Sequence, residues 1–180
     1  WPDPAIRPLP RHREAGAPVT ICDSGNLGRS HDVEAIIELI RRTQATPGLA
    51  YRFVGGGAGT ARLEAAAGTL PAGLVRFEGY APRRELAASL AAADAHLIAL
   101  DKACVGLLHP SKLYGILAAG RPVHFLGDPA GAVARIVAEA RAGLTLDVDR
   151  PDTWRPTIEA VIAEPEWRER AGRNARRAHE

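Results

Sequence analysis

From Val19 to the C-terminus, short β-prone runs alternate with helical patterns, and this alternation constrains the fold more than any single motif does. Val19-Thr20-Ile21-Cys22 precedes Val33, Ile36, Ile37 and Ile40, which fall on one face of a helix. Residues 51–54 form a second apolar run ending in Gly55-Gly56-Gly57, ahead of an Ala-rich helix over about 58–67. A third run, 74–77, ends at Gly79. Pro82 suits the first turn of a helix carrying Leu86 and Leu90 to Ala93, and 96–100 predicts a fourth strand. Ser111 is placed to cap a helix running to Ala119, Gly120 supplies a left-handed stop, and 122–125 returns as a fifth strand. Val133, Ile136, Val137 and Ala140 mark a helix closed near Gly143, followed by a short sixth strand over 144–146. Two helices finish the chain, 152–163 and 165–178, the second with Pro165 in its first turn. Strands this apolar leave no face for water. The pattern therefore predicts one doubly wound α/β domain, with a parallel sheet of about six strands and helices on both faces. In that arrangement ligands bind outside the carboxyl ends of the strands, where the glycine-rich loops of this chain fall.

Composition narrows the partners. The 180 residues are 46% apolar and 24% charged, with a formal net charge of +2, the balance of a soluble globular domain with one core. Arg168 to Arg177 alternate with Glu, which reads as a solvated helix face and predicts no nucleic-acid partner. Cys22 and Cys104 fit no metal or redox spacing and read as buried free thiols, which points to a reducing, cytoplasmic setting. The six His residues lack ligand spacing, so no metal is expected. No apolar stretch reaches the roughly 20 residues of a membrane span. The chain has no Met and opens Trp1-Pro2-Asp3-Pro4, which reads as a piece excised from a longer protein. Proline at positions 2, 4, 8, 10 and 18 marks residues 1–18 as an interdomain linker, leaving 19–180 as the folded domain.

Three loops carry the candidate chemistry. The first, residues 23–32, holds Asn26 between two glycines, Gly25 and Gly28, that let the backbone approach a ligand, and Arg29, which offers a charged fork. The second, Gly55-Gly56-Gly57, resembles it but departs from the dinucleotide pattern because position 60 is Thr. The third, His109-Pro110-Ser111-Lys112, puts a cation in the first turn of a helix, where the macrodipole disfavours it. An anion beside Lys112 reverses that sign. The chain uses Lys only at 102 and 112, and a compact ammonium suits a phosphate oxygen; a solvated lysine over a capping serine is the other reading.

Taken together, residues 24–28, 51–57, 75–80 and 109–123 resemble, in order and spacing, the C-terminal domain of retaining GT-B glycosyltransferases, glycosyltransferase family 4. The likeness runs from about Val19 to Ala178 and implies a Rossmann-like half of a GT-B fold that binds a nucleoside diphosphate sugar. It implies that Arg29, Ser111 and Lys112, with amides of the first loop, hold the diphosphate and stabilise it as it leaves. Gly79 and Tyr80 are implied to border the base, and Gly55, Gly56 and Gly57 the floor beside the nucleotide. It further implies an N-terminal acceptor domain in the parent protein, no metal, and a fragment that binds nucleotide with negligible transfer.

The Pro-Ser-Lys form resembles a subgroup linked to bacterial polysaccharide synthesis. Many family members carry a pair of glutamates where this chain has Leu107 and Gly115, the second bonding the ribose, and neither residue here can serve. Tyr114 and His109 are the remaining candidates for the ribose. The acceptor, a glycan or a lipid-linked glycan, is not read from the residues, and a peripheral position at the inner face of the membrane stays open. Two other readings are a nucleotide-sugar 2-epimerase of the same architecture and a non-catalytic flavodoxin-like binding module. The first calls for acid/base carboxylates near the sugar and the second for an acidic pocket or no ligand.

Overall fold

A computed structural model describes residues 6–10, 16–107 and 110–180. Six strands form one sheet: β1 (Val19–Asn26), β2 (Leu49–Gly56), β3 (Val75–Glu78), β4 (Ala95–Ala99), β5 (Val123–Gly127) and β6 (Gly143–Asp147). Their order is β3-β2-β1-β4-β5-β6, and every pairing is parallel. The order reverses between β1 and β4, which opens a crevice at their carboxyl ends. The predicted doubly wound α/β sandwich is what the chain forms.

Among the described residues five α-helices connect the strands, α1 (Val33–Thr43), α2 (Thr60–Ala67), α3 (Leu86–Ala91), α4 (Lys112–Ala118) and α5 (Ala132–Glu139), and two follow β6, α6 (Trp154–Ala163) and α7 (Pro165–His179). Alternation along each strand feeds two cores. On one face Ile21, Tyr51, Leu97 and Leu126 pack against Ile36 and Ile40 of α1, Leu63 of α2 and Trp154 of α6. On the other, Ile98, Val123 and Phe125 meet Leu113 and Ile116 of α4, Val133 of α5 and Ala175 of α7. Burying this apolar surface is the main drive for the fold, on the order of 25 cal/mol per Å².

Local chemistry sets the boundaries. Asp32 caps α1, its Oδ1 accepting from the Ala35 amide at 2.9 Å. Gly120 takes φ +64 after α4, as its position predicted. Three expectations need correction. Gly143 does not stop α5; it belongs to β6, where an added Cβ would lie 1.8 Å from the Val123 carbonyl oxygen, and Arg141 (φ 50) makes the left-handed turn instead. Ser111 makes no side-chain cap, because its own backbone is already helical at φ −58 and ψ −26. Cys22 is buried, but Cys104 is partly exposed in the turn after β4.

Residues 6–10 contain neither helix nor strand, yet they are not loose. Ile6 is buried in the α4 core, and the Leu9 carbonyl accepts from Arg121 Nη2 at 2.7 Å.

Candidate functional site

The crevice is built first from glycines. Gly25 and Gly55 are register partners at the ends of β1 and β2, with φ near +130. A Cβ on Gly55 would lie 2.0 Å from the Gly25 carbonyl oxygen, so the two backbones touch as only glycine permits. Gly57 (φ +131) is pinned likewise, a Cβ there meeting Asn26 Oδ1 at 2.4 Å and the Leu27 carbonyl at 2.5 Å. Tyr80, 63% exposed, lays its ring on Gly55 and Gly56. These glycines are thus strand ends as well as loop residues, and they lock the first and second loops into one floor.

A cavity of about 270 Å³ opens on that floor at the carboxyl ends of β1, β2 and β3. Asp23, Gly25, Gly55, Gly56 and Gly79 line it, with Phe53 and Phe77, whose rings stack at 5.6 Å. Beside it Arg52 forks onto Glu78 at 2.8 and 2.7 Å, and this guanidinium holds the Glu78 carboxyl below its ordinary value. The volume suits part of a nucleotide rather than a whole one.

The first and third loops meet across the β1–β4 switch point. The Asp101 amide donates to the Ser30 carbonyl at 2.9 Å, and Lys112 Nζ lies 2.9 Å from both carboxylate oxygens of Asp23. The Lys112 and Asp23 side chains are 14% and 3% exposed. The anion that offsets Lys112 at the start of α4 is therefore Asp23. Arg29 is exposed, with no ion-pair partner among the described residues. His31 completes the cluster: its Nδ1 lies 3.3 Å from the Gly28 carbonyl and its buried Nε2 has no partner among the described residues. Burial, then the Lys112 charge, lowers its proton affinity below the ordinary value.

The remaining predicted residues divide. Gly28 and Asn26 sit on the first loop, with Asn26 Nδ2 3.2 Å from where a Gly28 Cβ would stand. Ser111 and Tyr114 are exposed at α4, Pro110 precedes them, and His109 lies outside the described residues. A Cβ at Gly115 would meet Ile6 and Leu90 at 3.8 Å, so that position faces the core; Leu107 is 79% exposed. Asp23 and His31 escaped the sequence reading as site residues. The signal for Asp23 was a lone carboxylate directly after the apolar run 19–22, inside what proves to be β1, which calls for a buried cation.

A larger cavity of about 670 Å³ lies at the opposite, amino edge of the sheet, among Arg121, Arg168, Arg173, Arg176 and Arg177. Three of these arginines are already bonded to backbone carbonyls. The carboxyl-edge crevice, with its glycine floor and switch-point position, is the better candidate.

Solved structures share this fold. The isolated C-terminal domain of LpcC, a group 1 glycosyl transferase from Francisella tularensis, superposes with a TM-score of 0.70 at 16% identity, covering 97% of this chain and 93% of that one. The fold is that of a GT-B glycosyltransferase C-terminal domain. HepE from Anabaena, solved with UDP-glucose, shares the GT-B half at a TM-score of 0.69 and 16% identity, over 89% of this chain and 43% of that one. Among curated proteins, "Probable glycosyltransferase WbjE" of Pseudomonas aeruginosa is 31% identical over 122 residues, 66% of this chain. "Putative colanic acid biosynthesis glycosyl transferase WcaI" of Escherichia coli is 35% identical over 97 residues, 54% of this chain. The matched segments span 30% and 24% of those two proteins. No protein-family model matches the chain. No helix among the described residues is long and apolar enough to cross a membrane.

Proposed function

We propose that this chain is the donor-binding half of a glycosyltransferase that moves a sugar from a nucleoside diphosphate sugar to an acceptor in bacterial polysaccharide or glycolipid synthesis. The observation that carries the proposal is the meeting of the glycine-floored first loop with the Lys112 loop at the β1–β4 switch point. It is supported by the fold shared with a protein solved with UDP-glucose and by the two glycosyltransferase relatives.

The diphosphate lies against the first-loop amides, Arg29, Ser111 and Lys112. Charge develops on the phosphate oxygens as the sugar leaves, and fixed cations in a half-dry crevice stabilise it without a metal. Phe53, Phe77 and Gly79 offer the base an apolar slot in the smaller cavity, with the Tyr80 ring at its edge. Tyr114 and His109 are assigned to the ribose in place of the glutamate this chain lacks. The finer assignment is a retaining hexosyltransferase of family 4, working in the cytoplasm or peripherally at the membrane. A preceding acceptor domain completes it, so this chain alone binds the donor and transfers negligibly.

Calorimetric titration with UDP, GDP and their sugars tests this. Binding of at least one nucleotide, weakened roughly tenfold by Arg29→Ala, is expected. Arg29 is exposed, so that substitution leaves the fold intact. Absence of heat from every nucleotide overturns the proposal.

A further inference from the structure

Asp23 is a nearly buried carboxylate in the carboxyl half of β1, and both its oxygens face one ammonium at 2.9 Å. Its position is not incidental to the crevice, because the same residue lines the cavity at the ends of β1 to β3. An ammonium has three N–H donors, and here the carboxylate engages Lys112 along both its oxygens. His31, Cys22 and His96 also feel both charges of the pair, and burial acts on each against its charged form, lowering the two imidazoles and raising the thiol. An anion entering the crevice therefore meets a pair of zero net charge, with a carboxylate opposing it where the cation attracts.

We infer that Asp23 is a built-in counter-ion of Lys112: phosphate oxygens of a bound nucleotide take the carboxylate's place on the ammonium, and the carboxylate's return favours release of the nucleoside diphosphate. The inference rests on the donor-binding reading for the identity of the ligand and on the ion pair for the effect itself. No bond is made or broken; one ionic contact is exchanged for another. Asp23 is thus set against tight holding of the spent nucleotide, a specificity-determining residue for the exchange rather than a group that touches the reacting atoms.

Inorganic pyrophosphate serves as the probe, followed by UDP. Asp23→Asn preserves the side chain's size and an acceptor for Lys112 while removing the charge. Its dissociation constant for pyrophosphate is expected to fall roughly tenfold, with slower dissociation of UDP. The gain must vanish in the Lys112→Met background, where Asp23→Asn adds nothing. Unchanged or weaker binding by Asp23→Asn overturns the inference, as does a gain that survives without Lys112. If wild-type chain binds no UDP while the pyrophosphate effect holds, the donor reading fails and the counter-ion stands. The reverse pattern sinks the counter-ion alone. Should Asp23→Asn not fold, NMR of the wild-type chain decides: pyrophosphate must move the Asp23 Cγ and Lys112 Nζ resonances with one midpoint. An unmoved Asp23 resonance overturns the inference.

Discussion

Gly55 and Gly57 show how one residue type serves two masters. Read along the chain, a run of three glycines after a strand suggests backbone left open for a ligand. In the fold, Gly55 abuts the Gly25 carbonyl and Gly57 the Leu27 carbonyl, at φ near +131 in both cases. Their demand is internal packing, which fixes the floor of the crevice. Gly55→Ala is expected to cost about 3 kcal/mol, since a Cβ there must push the β1 and β2 backbones apart and hold a strained φ. Gly73→Ala is the control: its φ is +82 with no atom within 4 Å, so backbone strain of about 1 kcal/mol is all it adds. Urea unfolding of the two variants measures the difference, and equal losses would refute the close-packing account. Lys112 carries the same lesson. Its odd place in a first helical turn was legible, and so was its need for an anion, but β1 and α4 are far apart in sequence, and Asp23 becomes that anion only once they meet.

Helices in a doubly wound fold run against the strands, so their carboxyl ends, with unpaired carbonyls and partial negative charge, converge on the amino edge of the sheet. Arginines meet them there. Arg121 Nη2 donates to Ala91 at the end of α3, Arg168 Nη1 to Val161 and Ile162 at the end of α6, and Arg176 Nη1 to Ala118 at the end of α4. This accounts for the basic character of the large cavity without a ligand. From sequence, the Arg–Glu alternation of α7 looks like a solvated face, which Arg173 and Glu169 satisfy at 3.7 Å. Helical period alone does not reveal that Arg168 and Arg176 instead point at other elements' carbonyls. Arg168→Ala is expected to lose about 1–2 kcal/mol by orphaning two carbonyls, whereas Arg173→Ala should stay within about 0.5 kcal/mol. Thermal melts distinguish them, and a harmless Arg168→Ala would show that water replaces the guanidinium there at no cost.

At the scale of the molecule, the alternation of strand and helix made the fold class legible, because each apolar run fits a parallel sheet covered on both faces. Strand order was not legible: every run is apolar enough to pair with any other, and only helix packing and right-handed crossovers select β3-β2-β1-β4-β5-β6. That order buries two histidines in the sheet. His96 on β4 keeps one ring nitrogen on the Leu90 carbonyl at 2.9 Å, and His124 on β5, beside the Trp167 ring, has no partner among the described residues for either nitrogen. Burial pushes their pKa values down from 6.5, to about 4 for His96 and about 3 for His124. The folded state thus holds both rings neutral where the unfolded chain would protonate them. Their contribution to stability is whole above pH 6.5 and is lost as the pH falls. Between pH 6.5 and about 4 both rings contribute, a limiting slope of about 2.7 kcal/mol per pH unit, and below that His124 continues alone to about pH 3. Denaturant unfolding followed from pH 7 to 5.5, above the carboxylate range, reads this slope together with the smaller contribution of His31, whose proton affinity burial also lowers. Replacing His124 with Leu should lower the slope by up to about 1.4 kcal/mol per pH unit, because one ring fewer then remains to be charged on unfolding. An unaltered slope would mean that His124 is protonated in the folded protein, with a partner for its charge inside the sheet.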